Sequence, residues 1–250
     1  VGARGSASWG KVSMNNVEVS GLEKSYGGRP VLADITFDVH PGEFVSIIGP
    51  SGSGKSTIFN MIAGLDTPDS GTVNAERCAY MPQKDLLFPW RTVLANTALG
   101  LEVQGVPKRA ARARARALFP VFGLDGYEDA RPSQMSGGMR QRAAVLRTVV
   151  QGHDLLLLDE PFGALDSLTR TGMQTWLQSM WLEYGWTVLM ITHDIREAVY
   201  MSDRVIVLSD KPAYVRRQIS VPLPRPRGLD VVATPTFAAI EAELMTVLLG

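Results

Sequence analysis

The sequence is poor in three things, and each absence narrows what the chain can be. Cysteine occurs once in 250 residues, as Cys78. No disulfide can form within the chain, which fits a reducing compartment. Inside "ERCAYMPQ" that residue reads as a small buried apolar side chain on a strand. Long apolar runs are missing. The densest stretches, "DLLLLDE" and "WTVLMITHD", fall short of the ~20 residues a membrane helix needs and end in charge. They read as fully buried strands. Surplus charge is missing too. Lys plus Arg and Asp plus Glu each number 25, for a net charge of zero. There is no whole-chain basic footprint of the kind nucleic acid attracts. The opening "VGARGSASWG" has no apolar core of a secretory signal, and Val1 in place of Met points to a trimmed start. Any work at a membrane is expected from outside the bilayer.

What is present is a regular alternation of elements. Val17 and Val19 alternate with polar residues, as do Ile35, Phe37 and Val39. Both stretches read as half-buried antiparallel strands, with a turn over Tyr26, Gly27, Gly28, Arg29 and Pro30 between them. Buried strands are predicted at Phe44–Ile48, Cys78–Met81, Leu155–Leu158, Thr187–Ile191 and Arg204–Leu208, with helices between several of them. That order predicts an α/β fold with a mostly parallel sheet. From about 86 to 152 no strand is convincing, and the stretch reads as a helical insertion into the α/β core. "PLPRPRG", Pro222 to Gly228, reads as a linker. After it Thr234 can cap and Pro235 can start a helix, with Phe237, Ile240, Leu244 and Leu248 near one face. The organisation expected is a main domain over 12–224 and a linker with an amphipathic helix over 225–250.

"GPSGSGKST" carries the first chemistry. Gly49 to Ser56 fits G-x-x-x-x-G-K-[ST] in full, between the apolar "FVSII" and the helical "KSTIFNMIAGL". In such a strand–loop–helix unit, consecutive backbone N–H groups converge on a phosphate, and the helix N-terminus favours negative charge. Gly49, Pro50, Ser51, Gly52, Ser53, Gly54 and Thr57 would build the cradle. Lys55 would reach the β- and γ-phosphates, and Ser56 would ligate Mg²⁺. The core is thus read as that of a P-loop NTPase, preceded by an N-terminal antiparallel β subdomain.

"LLLLDEP" supplies two acids where α/β sheets bind ligands, at a strand's C-terminal edge. Asp159 would hold Mg²⁺ through water. Glu160 is better placed to orient or deprotonate an attacking water. "THDIREA" follows another buried strand and puts His193 on the same edge, within reach of a γ-phosphate.

One more stretch, "QMSGGMRQR" at Gln134 to Arg142, fixes a family resemblance. Taken in order with the phosphate loop, "DEPFGALD" and "THD", it resembles the ATP-binding subunit of ABC transporters, over nearly the whole chain from Leu22 to about Pro224. The resemblance implies a head-to-tail dimer, expected to be a homodimer, that sandwiches ATP. Ser136, Gly137 and Gly138 would clasp the γ-phosphate of the partner's ATP, a placement consistent with another helix N-terminus. Tyr26 would stack on adenine, Gln83 would sense Mg²⁺ and the attacking water, and Asp166 would link the two sites across the dimer. Met135 and Met139 depart from the usual leucine and glutamine, and "AAVLRTVV" from the usual "IARAL"-like stretch. None of these removes a phosphate contact.

"LLFPWRTVLANTALGLEVQGVP", Leu86 to Pro107, resembles the importer subgroup for nitrate, sulfonates, taurine and related small solutes. "DEPFGALDSLTR" and the "PLPRPRG" tail look like that subgroup as well. Relatives importing aromatic vitamins or their precursors share these stretches. The resemblance implies a peripheral ATPase on the cytoplasmic face of the cell membrane, bound to transmembrane permease subunits and served indirectly by a solute-binding protein. Leu87, Phe88 and Trp90 would form the permease-docking surface. The alternative is a soluble ABC-type ATPase acting on nucleic acid or ribosomes. Such proteins usually join two cassettes or carry long coiled-coil insertions, neither of which is present. The basic "KRAARARARA", with Arg109, Arg112 and Arg116 on one helical face, reads as a solvated face and not as a nucleic-acid site. A GTPase would need an N-K-x-D-type motif, which does not occur.

Overall fold

A computed structural model describes residues 16–250. The expectations about the start of the chain, including the domain boundary at 12, lie outside the described residues. The elements run β1 (Val17–Tyr26), β2 (Arg29–Val39), β3 (Phe44–Ile48), α1 (Lys55–Ile62), β4 (Ser70–Ala75) and β5 (Cys78–Met81). The helices α2 (Val93–Thr97), α3 (Leu99–Val103), α4 (Lys108–Leu118) and α5 (Gly137–Val149) follow. Then come β6 (Leu155–Asp159), α6 (Ser167–Tyr184), β7 (Thr187–Ile191), α7 (Ile195–Met201), β8 (Arg204–Leu208), β9 (Val215–Ser220) and α8 (Pro235–Leu249).

Two sheets result. The 3-stranded sheet has the order β2-β1-β4 and is antiparallel, while the 6-stranded sheet has the order β5-β6-β7-β3-β8-β9. In the larger sheet every pairing is parallel except β8 with β9. The buried strands fall where the apolar runs predict them, because a strand covered on both faces has no polar face to alternate with. β3, β6 and β7 are buried along their whole length.

The pleat divides each of these strands between two cores. Phe44, Ile48, Leu156, Leu158, Val188 and Met190 face the helical region and α8. Val45, Ile47, Leu155, Leu157, Leu189 and Ile191 face α1 and the small sheet. The phosphate loop thus hangs from a strand clamped on both faces, a rigid support for a binding loop.

β4 and β9 escape the sequence reading. Both are sheet-edge strands of mostly polar residues, and only Ile219 of β9 is buried. Pairing, not apolar periodicity, makes them strands. The C-terminal helix starts as the sequence suggests. Thr234 Oγ1 accepts from Phe237 N at 3.3 Å, and Pro235 opens α8. Phe237, Ile240 and Leu244 are buried, and Leu248 packs partly against the same core. The linker before it is anchored by Arg227. This fully buried side chain donates to the carbonyls of Val199, Tyr200 and Ser202 at 2.7, 3.0 and 2.7 Å.

Candidate nucleotide-binding site

The cleft lies at the C-terminal edge of the parallel strands, where β3 passes through residues 49–54 into α1. Gly54 closes that loop at φ 96°, a left-handed conformation, and a Cβ there would lie 2.7 Å from Leu32 Cδ2. Lys55 is buried, and its Nζ donates to the carbonyls of Gly49 and Pro50, each at 2.9 Å. The loop thus wraps its own lysine. Burial lowers the Lys55 pKa from the usual lysine value, against the pull of Glu160 and Asp159. The Ser53 hydroxyl is buried with no hydrogen-bond partner, and a phosphate oxygen would relieve that cost.

The acids sit opposite the loop. Ser56 Oγ donates to Asp159 Oδ2 at 2.9 Å, and Tyr80 Oη reaches the same oxygen at 3.4 Å. Burial raises the Asp159 pKa, with Ser56 opposing. Burial also pushes Tyr80 up to about 12, so it is a donor at neutral pH. Glu160 stands just beyond β6 with φ at 47°, an uncommon value for a residue with a side chain. Its N–H is held by the Ile191 carbonyl at 2.9 Å. Gln83 Nε2 donates to Glu160 Oε2 at 2.9 Å, and His193 Nδ1 lies 3.4 Å from Glu160 Oε1. Backbone strain held by two side-chain partners is a pattern found at reactive positions.

Tyr26 is the last residue of β1, not one beyond it, and is 47 % exposed at the cleft mouth. Its hydroxyl donates to Asp66 Oδ2, which raises the tyrosine's pKa and lowers that of the aspartate. The ring face is thereby held in a cleft of about 480 Å³ whose walls include Ser51, Gly52, Gly54, Lys55, Ser56, Thr57, Gln83, Asp159, Glu160 and His193.

The signature and Asp166 do not line this cleft. Ser136 caps α5, its Oγ accepting from Met139 N at 3.2 Å. Asp166 caps α6, its Oδ1 accepting from Thr169 N at 3.1 Å, and the Thr169 side chain, then its N–H, lower the Asp166 pKa. The two caps are packed together, since a Cβ on Gly138 would fall 2.6 Å from Thr169 Cγ2. A single copy therefore holds the cleft at the glycine-rich loop and a separate helix N-terminus.

One expectation needs correction. Leu87 is only 7 % exposed and belongs to the core, so it cannot face a partner. Phe88 is half-buried and Trp90 is 66 % exposed, their ring centroids 5.1 Å apart. Trp90 lines a groove of about 970 Å³, larger than the nucleotide cleft, together with Arg91, Leu94, Arg109, Arg112 and Arg116. On α4 Arg109 and Arg116 are exposed, whereas Arg112 is half-buried with its Nε 3.9 Å from Glu102 Oε1, and this face forms one wall of the groove. Sequence reasoning missed Tyr80, Asp66 and Lys211 at or beside the cleft. Of these, only Tyr80 carried a signal, as a polar-tipped residue two positions before the strand's exit to Gln83.

Comparison with known proteins agrees with this geometry. The family model described as "ABC transporter" matches residues 32–163. The formylaminopyrimidine import ATP-binding protein ThiZ of Halalkalibacterium halodurans is 47 % identical over 77 % of this chain and 79 % of its own. The aliphatic sulfonates import ATP-binding protein SsuB 2 of Xanthomonas axonopodis pv. citri is 41 % identical over 94 % of this chain and 80 % of its own. Among solved structures, the ATP-binding cassette MJ0796, as a dimer in a post-hydrolysis state bound to ADP and Pi, superposes with a TM-score of 0.72 at 30 % identity. That match covers 85 % of this chain and 100 % of the other. The chain belongs to the ABC transporter family, as an ATP-binding, ATP-hydrolysing cassette of such a transporter.

Proposed function

We propose that two copies of this chain close head to tail on two Mg·ATP, and that hydrolysis drives import of a small solute through a membrane permease. One observation carries the catalytic part: Glu160, at the end of β6, is held between Gln83 at 2.9 Å and His193 at 3.4 Å, opposite the phosphate loop. In this reading Glu160 takes a proton from the attacking water as its oxygen bonds to the γ-phosphorus and the bond to ADP breaks. Gln83 orients the water, His193 contacts the γ-phosphate, and Lys55 leaves the loop carbonyls for the β- and γ-phosphates. Ser136, Gly137 and Gly138 of the second copy complete the anion site, and Asp166 lies at the dimer seam.

The Ser56 hydroxyl and Asp159 carboxylate, 2.9 Å apart, are hard oxygens suited to Mg²⁺, which typically takes few protein ligands and completes its shell with phosphates and water. Bound there, the ion would neutralise charge developing on the phosphates. Tyr26 supplies the adenine platform. Phe88 and Trp90, beside the arginine-lined groove, supply the permease contact on the cytoplasmic face of the membrane. Among the described residues no helix is long and apolar enough to cross a membrane. The names of two relatives, for import of aliphatic sulfonates and of formylaminopyrimidine, support a small solute of one of these classes.

Phosphate release from ATP tests the site. Wild type should hydrolyse ATP only with Mg²⁺ present. Lys55→Ala should lose nucleotide affinity, because a charge partner of the phosphates is gone. An Lys55→Ala protein that binds and hydrolyses ATP normally contradicts the reading. Transport of aliphatic sulfonate against nitrate, by the chain reconstituted with its permease, assigns the solute class.

A further inference from the structure

Glu197 is a buried acid to which the mechanism above gives no role. It lies in the first turn of α7 and is 6 % exposed. Its N–H donates to Asp194 Oδ1 at 3.1 Å. Gln174 Nε2, from α6, donates to its Oε1 at 3.1 Å, and the nearby Thr192 side chain favours its ionised form. Thr192 Oγ1 also accepts from Asp194 N at 3.1 Å. Of the chain neighbours of His193, Asp194 is hydrogen-bonded to Glu197 and to Thr192, and Thr192 lines the same chamber as Glu197. A small chamber with Glu160 and His193 on its wall reaches Glu197. Arg170 spans the other direction, with Nη2 donating to the Leu165 carbonyl at 3.0 Å and Nη1 3.8 Å from Asp194 Oδ2.

We infer that Glu197 is a positioning residue for ATP hydrolysis: its carboxylate, held by Gln174 beside Thr192, fixes the backbone that aims His193 at the reacting phosphate. The inference rests on the reading of the cleft as a hydrolysis site. An ionised carboxylate can accept from both side chains, whereas a protonated acid or an amide has one carbonyl-type oxygen to offer.

The electrostatics make this arrangement costly. Burial raises Glu197 to about 7, with Thr192, Gln174 and Arg170 pulling down and Asp194 pushing up. His193 and Glu160 face it across the chamber, and Arg196 and Tyr200 line the groove on its other side. Because the folded value lies above the ordinary glutamate value of 4.5, the folded chain holds more protons between those values. Stability from this group therefore falls as pH rises across that window. A purely structural residue would not be expected to weaken the fold at working pH.

Glu197→Gln in the full chain tests the inference. The expected result is kcat at least tenfold lower, ATP affinity within twofold of wild type, and a thermal midpoint at pH 8 no lower than wild type. The rise of wild-type kcat through about pH 7 should flatten in the variant. Thr192→Val should lower kcat similarly, and the double variant should be no worse than either single one, as expected for residues acting through one contact. Unchanged kcat in Glu197→Gln overturns the inference alone, as does a loss of kcat that comes with a lower midpoint. A wild type without ATP hydrolysis would overturn both the inference and the reading it rests on.

Discussion

Gln83 Nε2 donates to Glu160 Oε2 at 2.9 Å, joining the loop that leaves β5 to the acid just beyond β6. The contact sets the orientation of the carboxylate and links this edge of the cleft to the segment leading to Trp90. Replacing Gln83 with Leu should lower kcat about 10²-fold while ATP affinity stays near wild type, since the lost contact positions a base and holds no phosphate directly. Single-turnover hydrolysis alongside equilibrium ATP binding separates the two. Equal losses in both would make Gln83 a binding residue.

Tyr26 offers a ring face at the cleft mouth while its hydroxyl is occupied by Asp66. Tyr26→Ala should raise the ATP dissociation constant about tenfold, ~1.4 kcal/mol, within the range of aromatic stacking on a base. Tyr26→Phe keeps the ring and should bind ATP almost normally. Calorimetry on both variants decides. If Phe is as harmful as Ala, the hydroxyl matters and the stacking role fails.

Trp90 is 66 % exposed, so Trp90→Asp should stay within about 1 kcal/mol of wild-type stability and bind ATP. It should lose co-purification with the permease and abolish transport. A variant that folds and still assembles moves the docking surface elsewhere.

The parts of this molecule legible in its sequence are those where local chemistry and tertiary role coincide. β3, β6 and β7 are continuous apolar runs because both faces are covered. The phosphate loop, its lysine and the two acids stand at strand ends, where motif and topology agree. Leu87 and Trp90 look equivalent in sequence, but one packs into the core and the other is surface, a difference set by tertiary packing that an apolar loop segment does not encode. Edge strands β4 and β9 exist through pairing. Glu197 stayed hidden because a charged residue in a helix's first turn ordinarily reads as solvated. Arg227 stayed hidden because a linker rich in proline ordinarily reads as exposed.

Arg227 therefore carries a stability prediction. Arg227→Met removes the donors to Val199, Tyr200 and Ser202 and leaves buried carbonyls unmatched. The expected loss is about 3–5 kcal/mol, the usual cost of breaking a buried polar network from one side. Urea unfolding measures it. A loss below about 1 kcal/mol would mean water replaces the guanidinium and the tail is not held by it.

The central claim is that Glu160 activates water in a site completed by a second copy. Glu160→Gln tests it most directly, with phosphate release and sizing chromatography run on the same sample with Mg·ATP. The expected result is ATP binding at wild-type affinity, hydrolysis reduced at least 10²-fold, and a stable dimer that dissociates when ADP replaces ATP. Hydrolysis at the wild-type rate would remove Glu160 from the chemistry, and an inactive variant that stays monomeric with ATP bound would contradict the shared site.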